Sequence, residues 1–204
     1  MELSQVLARD LLSIQAVQIN PNDYFTWTSG IKSPIYCDNR LTMSYPKIRN
    51  KISEAFVQLI DQMEEKPDVI AGCATAGIPH AAWLAEMLDL PMIYVRSKPK
   101  GHGKGNQIEG AFKAGQKVVV IEDLISTGGS SIESAHALQE EGLGVLGVLA
   151  IFTYGLQKSE KNFADAGIPY QTITDFDLLV DALVVDGEIQ EAEKQQLISW
   201  RDTL

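Results

Sequence analysis

The chain has 204 residues, 45% apolar and 22% charged, the balance of a globular protein able to bury one sizeable core. Its net charge of −10 argues against general nucleic-acid binding, which needs a basic surface to release counterions; an anionic ligand would have to be met by a local gathering of the 17 Lys and Arg residues. No apolar run approaches the roughly 18 residues that span a bilayer, "MELSQVLARDLL" is unlike a signal peptide, and Cys37 and Cys73 lie too far apart for a paired motif, so a cytoplasmic protein with reduced thiols and no membrane partner is expected.

In chain order, "LSQVLARDLLSI" carries apolar residues at helical spacing and predicts a first helix. Short strand-like pieces follow around "YFTWTSGIKSPIYC". Ser44 is the expected cap of a helix that starts at Pro46 and runs along Ile48, Ile52, Phe56, Leu59 and Ile60. Next come "DVIAG" (strand), "PHAAWLAEML" (helix), "PMIYV" and "KVVVIE" (strands), "SIESAHALQEE" (helix), "GVLGVLAIF" (strand) and "EKNFADAG" (helix). Nearly unbroken apolar strands divided by helices predict an α/β fold with a mostly parallel central sheet flanked by helices on both faces. "EIQEAEKQQLISWRDTL" reads as a closing amphipathic helix. With no repeat, low-complexity tract or linker, one domain over 1–204 is expected. Ligands of such sheets bind beyond the carboxyl ends of the strands.

At one such end stands "VVVIEDLISTGGSS", residues 118–131. The strand should end at the acids Glu122 and Asp123, and the loop should lead into a helix. Backbone N–H groups, a helix dipole and glycines that admit close approach make an anion site, and Ser126, Thr127 and Ser130 add hydroxyl donors. No lysine follows the glycines, so a single phosphate monoester fits better than a nucleoside triphosphate. Carboxylates instead accept hydrogen bonds from vicinal hydroxyls and favour a developing positive charge. A sugar phosphate offers both. The plain alternative is a surface acid pair before a turn, and the adjoining loop weighs against it.

A diphosphate would need positive charge elsewhere. "VRSKPKGHGKGNQIEG" supplies Arg96, Lys98, Lys100, His102 and Lys104 with no acid before Glu109, and its glycines suit a closing lid over about 97–109, the alternative being a solvated charged loop. "DVIAGCATAGIPHAAW" is a second strand–loop–helix unit, bracketed by Gly72 and Gly77 with Pro79 starting the helix; its His80 reads as a helix-face residue. "GLGVLG" (142–147) matches a dinucleotide pattern but follows a helix and enters a strand, the reverse of the required order; Gly142 reads as a helix C-terminal residue.

The acid motif resembles the ribose-phosphate signature of the type I phosphoribosyltransferases, which use phosphoribosyl diphosphate (PRPP). The lid pattern R-x-x-x-K-x-H-G, the base-side segment "FTWTSGIKSPIYCDNR" and "AGCATAGIPHA" resemble the orotate phosphoribosyltransferases in particular, in order from about residue 20 to residue 150. The resemblance implies that family's fold, with a small N-terminal hood over about 1–45. It implies transfer from PRPP to orotate, giving orotidine monophosphate and diphosphate, with Mg²⁺ carried chiefly by the substrate and no protein metal ligand. PRPP would be held by Arg96, Lys100, His102, Glu122, Asp123, Leu124, Ile125, Ser126, Thr127, Gly128, Gly129 and Ser130, with Lys100, His102 and Asp123 closest to catalysis. Orotate would meet Ser126, Lys32 and Tyr36. The lid would close over the neighbouring subunit's site in a homodimer. Thr28, Ser97 and Tyr154 stand where many relatives carry Lys, Lys and Arg. A phosphoribosyltransferase for another base would share the acid motif but not this lid. A regulator that senses PRPP would need a basic DNA-binding extension, which the charge disfavours.

Overall fold

The computed structural model describes residues 3–21, 23–26, 32–98 and 107–204. Helix α1 (Leu3–Ser13) leads into four short strands, β1 (Val17–Ile19), β2 (Phe25–Thr26), β3 (Lys32–Ser33) and β4 (Ile35–Cys37). A 3-10 helix (Asn39–Ser44) precedes α2 (Pro46–Asp61). There follow β5 (Val69–Cys73), α3 (Gly77–Leu88), β6 (Met92–Val95), β7 (Ile108–Glu109), β8 (Lys117–Ile125), α4 (Gly129–Glu140) and β9 (Gly144–Thr153). The chain closes with α5 (Gln157–Ala166), β10 (Tyr170–Asp175), α6 (Phe176–Val185) and α7 (Glu191–Arg201).

Six strands form one sheet in the order β10-β9-β8-β5-β6-β7, parallel except for the edge pair β6–β7. Strand alternation fixes the layers. Val119 and Ile121 enter one apolar cluster with α1, α2, α3 and α6, whereas Val118 and Val120 enter the other with α4 and α5. The same two-residue period sorts Ile70 from Val69 and Ala71 on β5, so a sheet buried on both faces reads as continuous Val and Ile. The four short strands pair outside this sheet, β1 with β4 and β2 with β3.

From β5 the chain goes to β6 on one side, then returns to β8 on the other. Strand order therefore reverses between β5 and β8, and a crevice opens beyond their carboxyl ends. The two walls of that crevice touch. A Cβ on Gly77, the first residue of α3, would lie 2.2 Å from the Ile121 carbonyl oxygen and 3.2 Å from Glu122 Cα. Only a residue without a side chain lets α3 start against the strand that carries the acids.

Three expectations differ from what is found. The α2 N-cap is Tyr45, with no side-chain cap bond, because Ser44 is already the last residue of the 3-10 helix. The expected strand end at Glu122 is too early, since β8 continues beside β9 to Ile125 although its ladder with β5 stops at Ile121. Helix α3 starts at Gly77, two residues before Pro79. Residues 170–185, not assigned from the sequence, form β10 and α6, with Asp175 accepting from Leu178 N–H at 2.8 Å as the helix cap.

Because the Gly77 contact is with backbone, it cannot relax by a rotamer change. Gly77→Ala is expected to lower unfolding free energy by about 1–3 kcal/mol, the usual cost of overpacking. Urea unfolding tests this, and an unchanged midpoint would contradict the contact.

Candidate active site

The crevice holds the acid strand, the loop Ser126–Gly128 and the start of α4. Gly128 caps α4 in the left-handed region (φ +81°), and a Cβ there would meet the Phe163 ring at 2.5 Å. The next glycine, Gly129, has open space where its side chain would be. The first turn of α4 therefore presents free N–H groups at an unobstructed surface, which together with the helix dipole is an anion-binding arrangement. From below, Asn162 Nδ2 on α5 donates to the Thr127 carbonyl at 2.9 Å and fixes the loop. Ser126 and Thr127 are half-buried, and Ser130 is exposed.

Glu122 is buried. Its Oε1 accepts from the Asp123 N–H at 3.0 Å, and its Oε2 accepts from the hydroxyls of Ser130 and Ser131, both at 3.3 Å. The acid is thus tied to the first turn of the anion-binding helix. Burial above all, and then the adjacent Asp123 carboxyl, push the Glu122 carboxyl up to about 8. Asp123 is half-buried, and its carbonyl oxygen accepts from Asn39 Nδ2 at 2.7 Å. Cys73, at the end of β5, lies 3.2 Å from Ser134 Oγ under the same helix; burial and then Glu122 raise its thiol far above the ordinary range, so it is an unreactive packing group. Cys37 and Cys73 are both free thiols, Cys73 buried and Cys37 half-buried.

The other expected site residues are placed as follows. Leu124 and Ile125 continue β8; Ile125 is fully buried, and its carbonyl accepts from Thr153 Oγ1 and Tyr154 N–H. Arg96 follows β6, just before the expected lid, with Nη1 3.4 Å from Glu109 Oε1 and its backbone N–H bonded to Gln107 O at 2.9 Å. Lys32 is exposed on β3 and donates to Thr26 Oγ1 at 2.7 Å. Tyr36 is exposed on β4, its ring 5.9 Å from Phe25. Tyr154 is buried, edge-on to Phe152, its phenol raised by burial and then by Cys37 and Asp123. Lys100, His102 and Thr28 lie outside the described residues.

The structure therefore brings Glu122, Asp123, Ser126, Thr127, Gly128, Gly129 and Ser130 into one crevice. Sequence reading missed Asn39, Ser131 and Asn162. Ser131 could have been found from the helical start of "GGSS", but nothing local connects Asn39 or Asn162 to residues far along the chain. Among the described residues no cluster of three His, Cys, Asp or Glu could hold a metal ion, and no helix is long and apolar enough to cross a membrane.

Known proteins resemble this chain in sequence and fold. Residues 44–178 match the phosphoribosyl transferase domain family, a span that contains both strand–loop–helix units. The orotate phosphoribosyltransferase of Oceanobacillus iheyensis is 62% identical over 202 residues, covering 99% of this chain and all of the relative. That of Bacillus subtilis is 56% identical over 199 residues, covering 98% of this chain and 92% of the relative. The crystal structure of the Aeropyrum pernix orotate phosphoribosyltransferase superposes with a TM-score of 0.77 at 29% identity, covering 90% of this chain and 99% of the other. An acid-bearing strand end bonded through Glu122 to a helix N-terminus, on a chain matched end to end at this identity, admits one assignment: the chain belongs to the phosphoribosyl transferase family, among its orotate phosphoribosyltransferases.

Proposed function

We propose how this chain performs that family's reaction, the transfer of the 5-phosphoribosyl group of PRPP to orotate to give orotidine 5'-monophosphate and diphosphate. The observation that carries the reading is the join between Glu122 and the first turn of α4, which puts a carboxyl group and a helix N-terminus side by side in one crevice. The 5-phosphate sits on the Ser126–Ser130 loop, where N–H groups and hydroxyls donate. The ribose hydroxyls donate to Glu122 and Asp123. As the bond from the anomeric carbon to diphosphate breaks and the bond to the orotate nitrogen forms with inversion, positive charge on the ring is met by the two acids, and negative charge on the diphosphate by Arg96, Lys100 and His102. Orotate arrives as an anion, so no deep proton transfer is required; Ser126, Lys32 and Tyr36 are the groups we assign to it.

Mg²⁺ fits this donor set. It prefers hard oxygens and binds through one or two carboxylates plus substrate phosphates, retaining waters. Here it would ride chiefly on the substrate's own oxygens, with the charge of Glu122 and Asp123 favouring it from beside the ribose rather than as its ligands. When bound, the ion would neutralise charge on the leaving group.

The foot of the lid supports a closing role for residues 97–109. Strands β6 and β7 pair through Val95 and Ile108, and the Arg96–Gln107 backbone bond extends that ladder. We take the cations between these strands to act on the diphosphate. In our reading the lid closes over the partner subunit's site in a homodimer, the short strands and nearby segments within 1–45 form a hood over orotate, residues 1–204 act as one domain, and the enzyme works in the cytoplasm.

Loss of orotate's ultraviolet absorbance on mixing with PRPP and Mg²⁺, without reaction of other bases, is the direct assay. Lys100→Ala is expected to lower turnover by ~10²-fold or more, the scale of one charge-stabilising donor; unchanged turnover would take the lid out of the reaction. Asp123→Asn should fold normally and turn over poorly, and full activity would contradict the ribose contact. A third outcome concerns protons. The free protein keeps Glu122 protonated up to about 8, whereas a bound cation favours the carboxylate. Binding therefore releases a proton below that pH, and the affinity it contributes grows as pH rises through the window from the ordinary carboxylate range to about 8. Calorimetry of PRPP·Mg²⁺ at pH 7, in buffers of different ionisation enthalpy, should register more proton release for the unaltered protein than for Glu122→Gln. Equal release would contradict a protonated Glu122.

A further inference from the structure

We propose that Asn39 is a positioning residue for the Asp123 carboxylate, acting through the Asp123 peptide where the register of the acid strand is interrupted; this rests on the ribose-binding role of Asp123 given above. The β8–β9 register includes Glu122, Leu124 and Ile125 but passes over Asp123, and the β5–β8 register has ended at Ile121. Asp123 therefore marks an irregularity in the β8–β9 ladder. Side chains reach both of its backbone groups: its N–H donates to Glu122 Oε1 at 3.0 Å, and its C=O accepts from Asn39 Nδ2 at 2.7 Å. The second bond spans 84 residues of sequence and comes from a side chain 1% exposed.

The orientation of a peptide plane sets the direction in which the neighbouring Cα–Cβ bond carries its side chain. In a strand the ladder normally fixes that orientation on both edges. Here, at a break in the register, a buried amide adds a hold from outside the sheet, so the aim of the Asp123 carboxylate depends in part on where Asn39 stands. Asn39 is itself braced. It is the first residue of the 3-10 helix, its carbonyl accepts from Thr42 Oγ1 at 2.6 Å, and Thr42 Oγ1 lies 3.4 Å from Nε2 of the buried His80 on α3. Because the Thr42 proton goes to Asn39, its oxygen is the acceptor for His80 Nε2–H. Burial holds the His80 ring neutral, at about 4, so no charge disturbs this chain near neutral pH. A run of buried polar contacts thus links α3, the 3-10 helix and the acid strand, the three elements that wall the crevice.

Asn is suited to this position and its closest substitutes are not. Asp has the shape but no N–H donor and would set a second charge beside Asp123; Leu fills the space and leaves the carbonyl unpaired.

The test is a double-mutant cycle in the full chain, read by PRPP·Mg²⁺ affinity and by KM for orotate. Asn39→Leu is expected to weaken PRPP binding by about tenfold, within the coupling range of residues in one network, while orotate KM stays within about twofold. In the Asp123→Asn background the same substitution should cost almost nothing, because the carboxylate it aims is gone. Full additivity of the two losses, or PRPP affinity unchanged by Asn39→Leu, would overturn the positioning role and leave the ribose contact standing. Wild-type affinity in Asp123→Asn alone would instead remove the reading on which the role rests. Thr42→Val, which takes away the brace behind Asn39, carries the same cycle should Asn39→Leu fail to fold. It is expected to give a smaller loss of PRPP affinity, again absent with Asp123→Asn, and a loss that persists there would count against the role.

Discussion

The site depends on a mismatch of strand lengths. Strand β8 continues to Ile125 along β9 but loses its other neighbour, β5, after Ile121. Four residues are therefore held in extended geometry on one edge and open on the other. That open edge is where two carboxyl groups can be packed close together without being enclosed by the sheet. It is also where the strand order reverses, so the crevice lies at the place where such folds bind ligands. The rest of the site is built around that open edge: Gly77 lets α3 begin against it, Ser130 and Ser131 tie it to the first turn of α4, and Asn39 bonds the Asp123 carbonyl.

Electrostatics then separates the two acids. Glu122 is buried and holds a proton near neutrality, while its partner Asp123 is half-exposed at the mouth of the crevice. Like charges this close cannot both ionise freely without a counter-charge. The arrangement is accordingly complementary to a ligand that brings positive charge, whether a metal ion riding on phosphates or a ring that becomes cationic as its leaving group departs. In the proposed reading the 5-phosphate is met by neutral groups, N–H and hydroxyl, so a chain of net charge −10 needs its cations only at the diphosphate.

Much of this was legible in the sequence. Val118–Ile121 and its fellows could be read as buried strands because both faces of the sheet are covered, and the acid–hydroxyl–glycine order pointed to a sugar phosphate before any coordinates. The limits were physical. A sequence pattern locates a strand by its apolar residues, so β8 seemed to end where polar ones began, yet pairing with β9 carries it through Glu122 and Asp123. Ser44 looked like a helix cap because local composition cannot distinguish a cap from the last residue of a 3-10 turn. Residues 170–175 mix Gln and Thr with a single Ile at an edge of the sheet, too weak a signal for a strand. Asn39 carried no signal, since its partner lies 84 residues away and is a backbone atom.

The central claim is that one strand end grips both ends of a single sugar phosphate, and it can be tested with neither diphosphate nor base present. Ribose 5-phosphate, its 2,3-dideoxy analogue and ribose itself would each be titrated into the protein by calorimetry. Binding of the intact sugar phosphate, with at least about tenfold weakening when either the two hydroxyls or the phosphate is removed, is the result this geometry predicts. Equal affinity for the dideoxy analogue would mean that Glu122 and Asp123 do not hold the ring, and would contradict the claim.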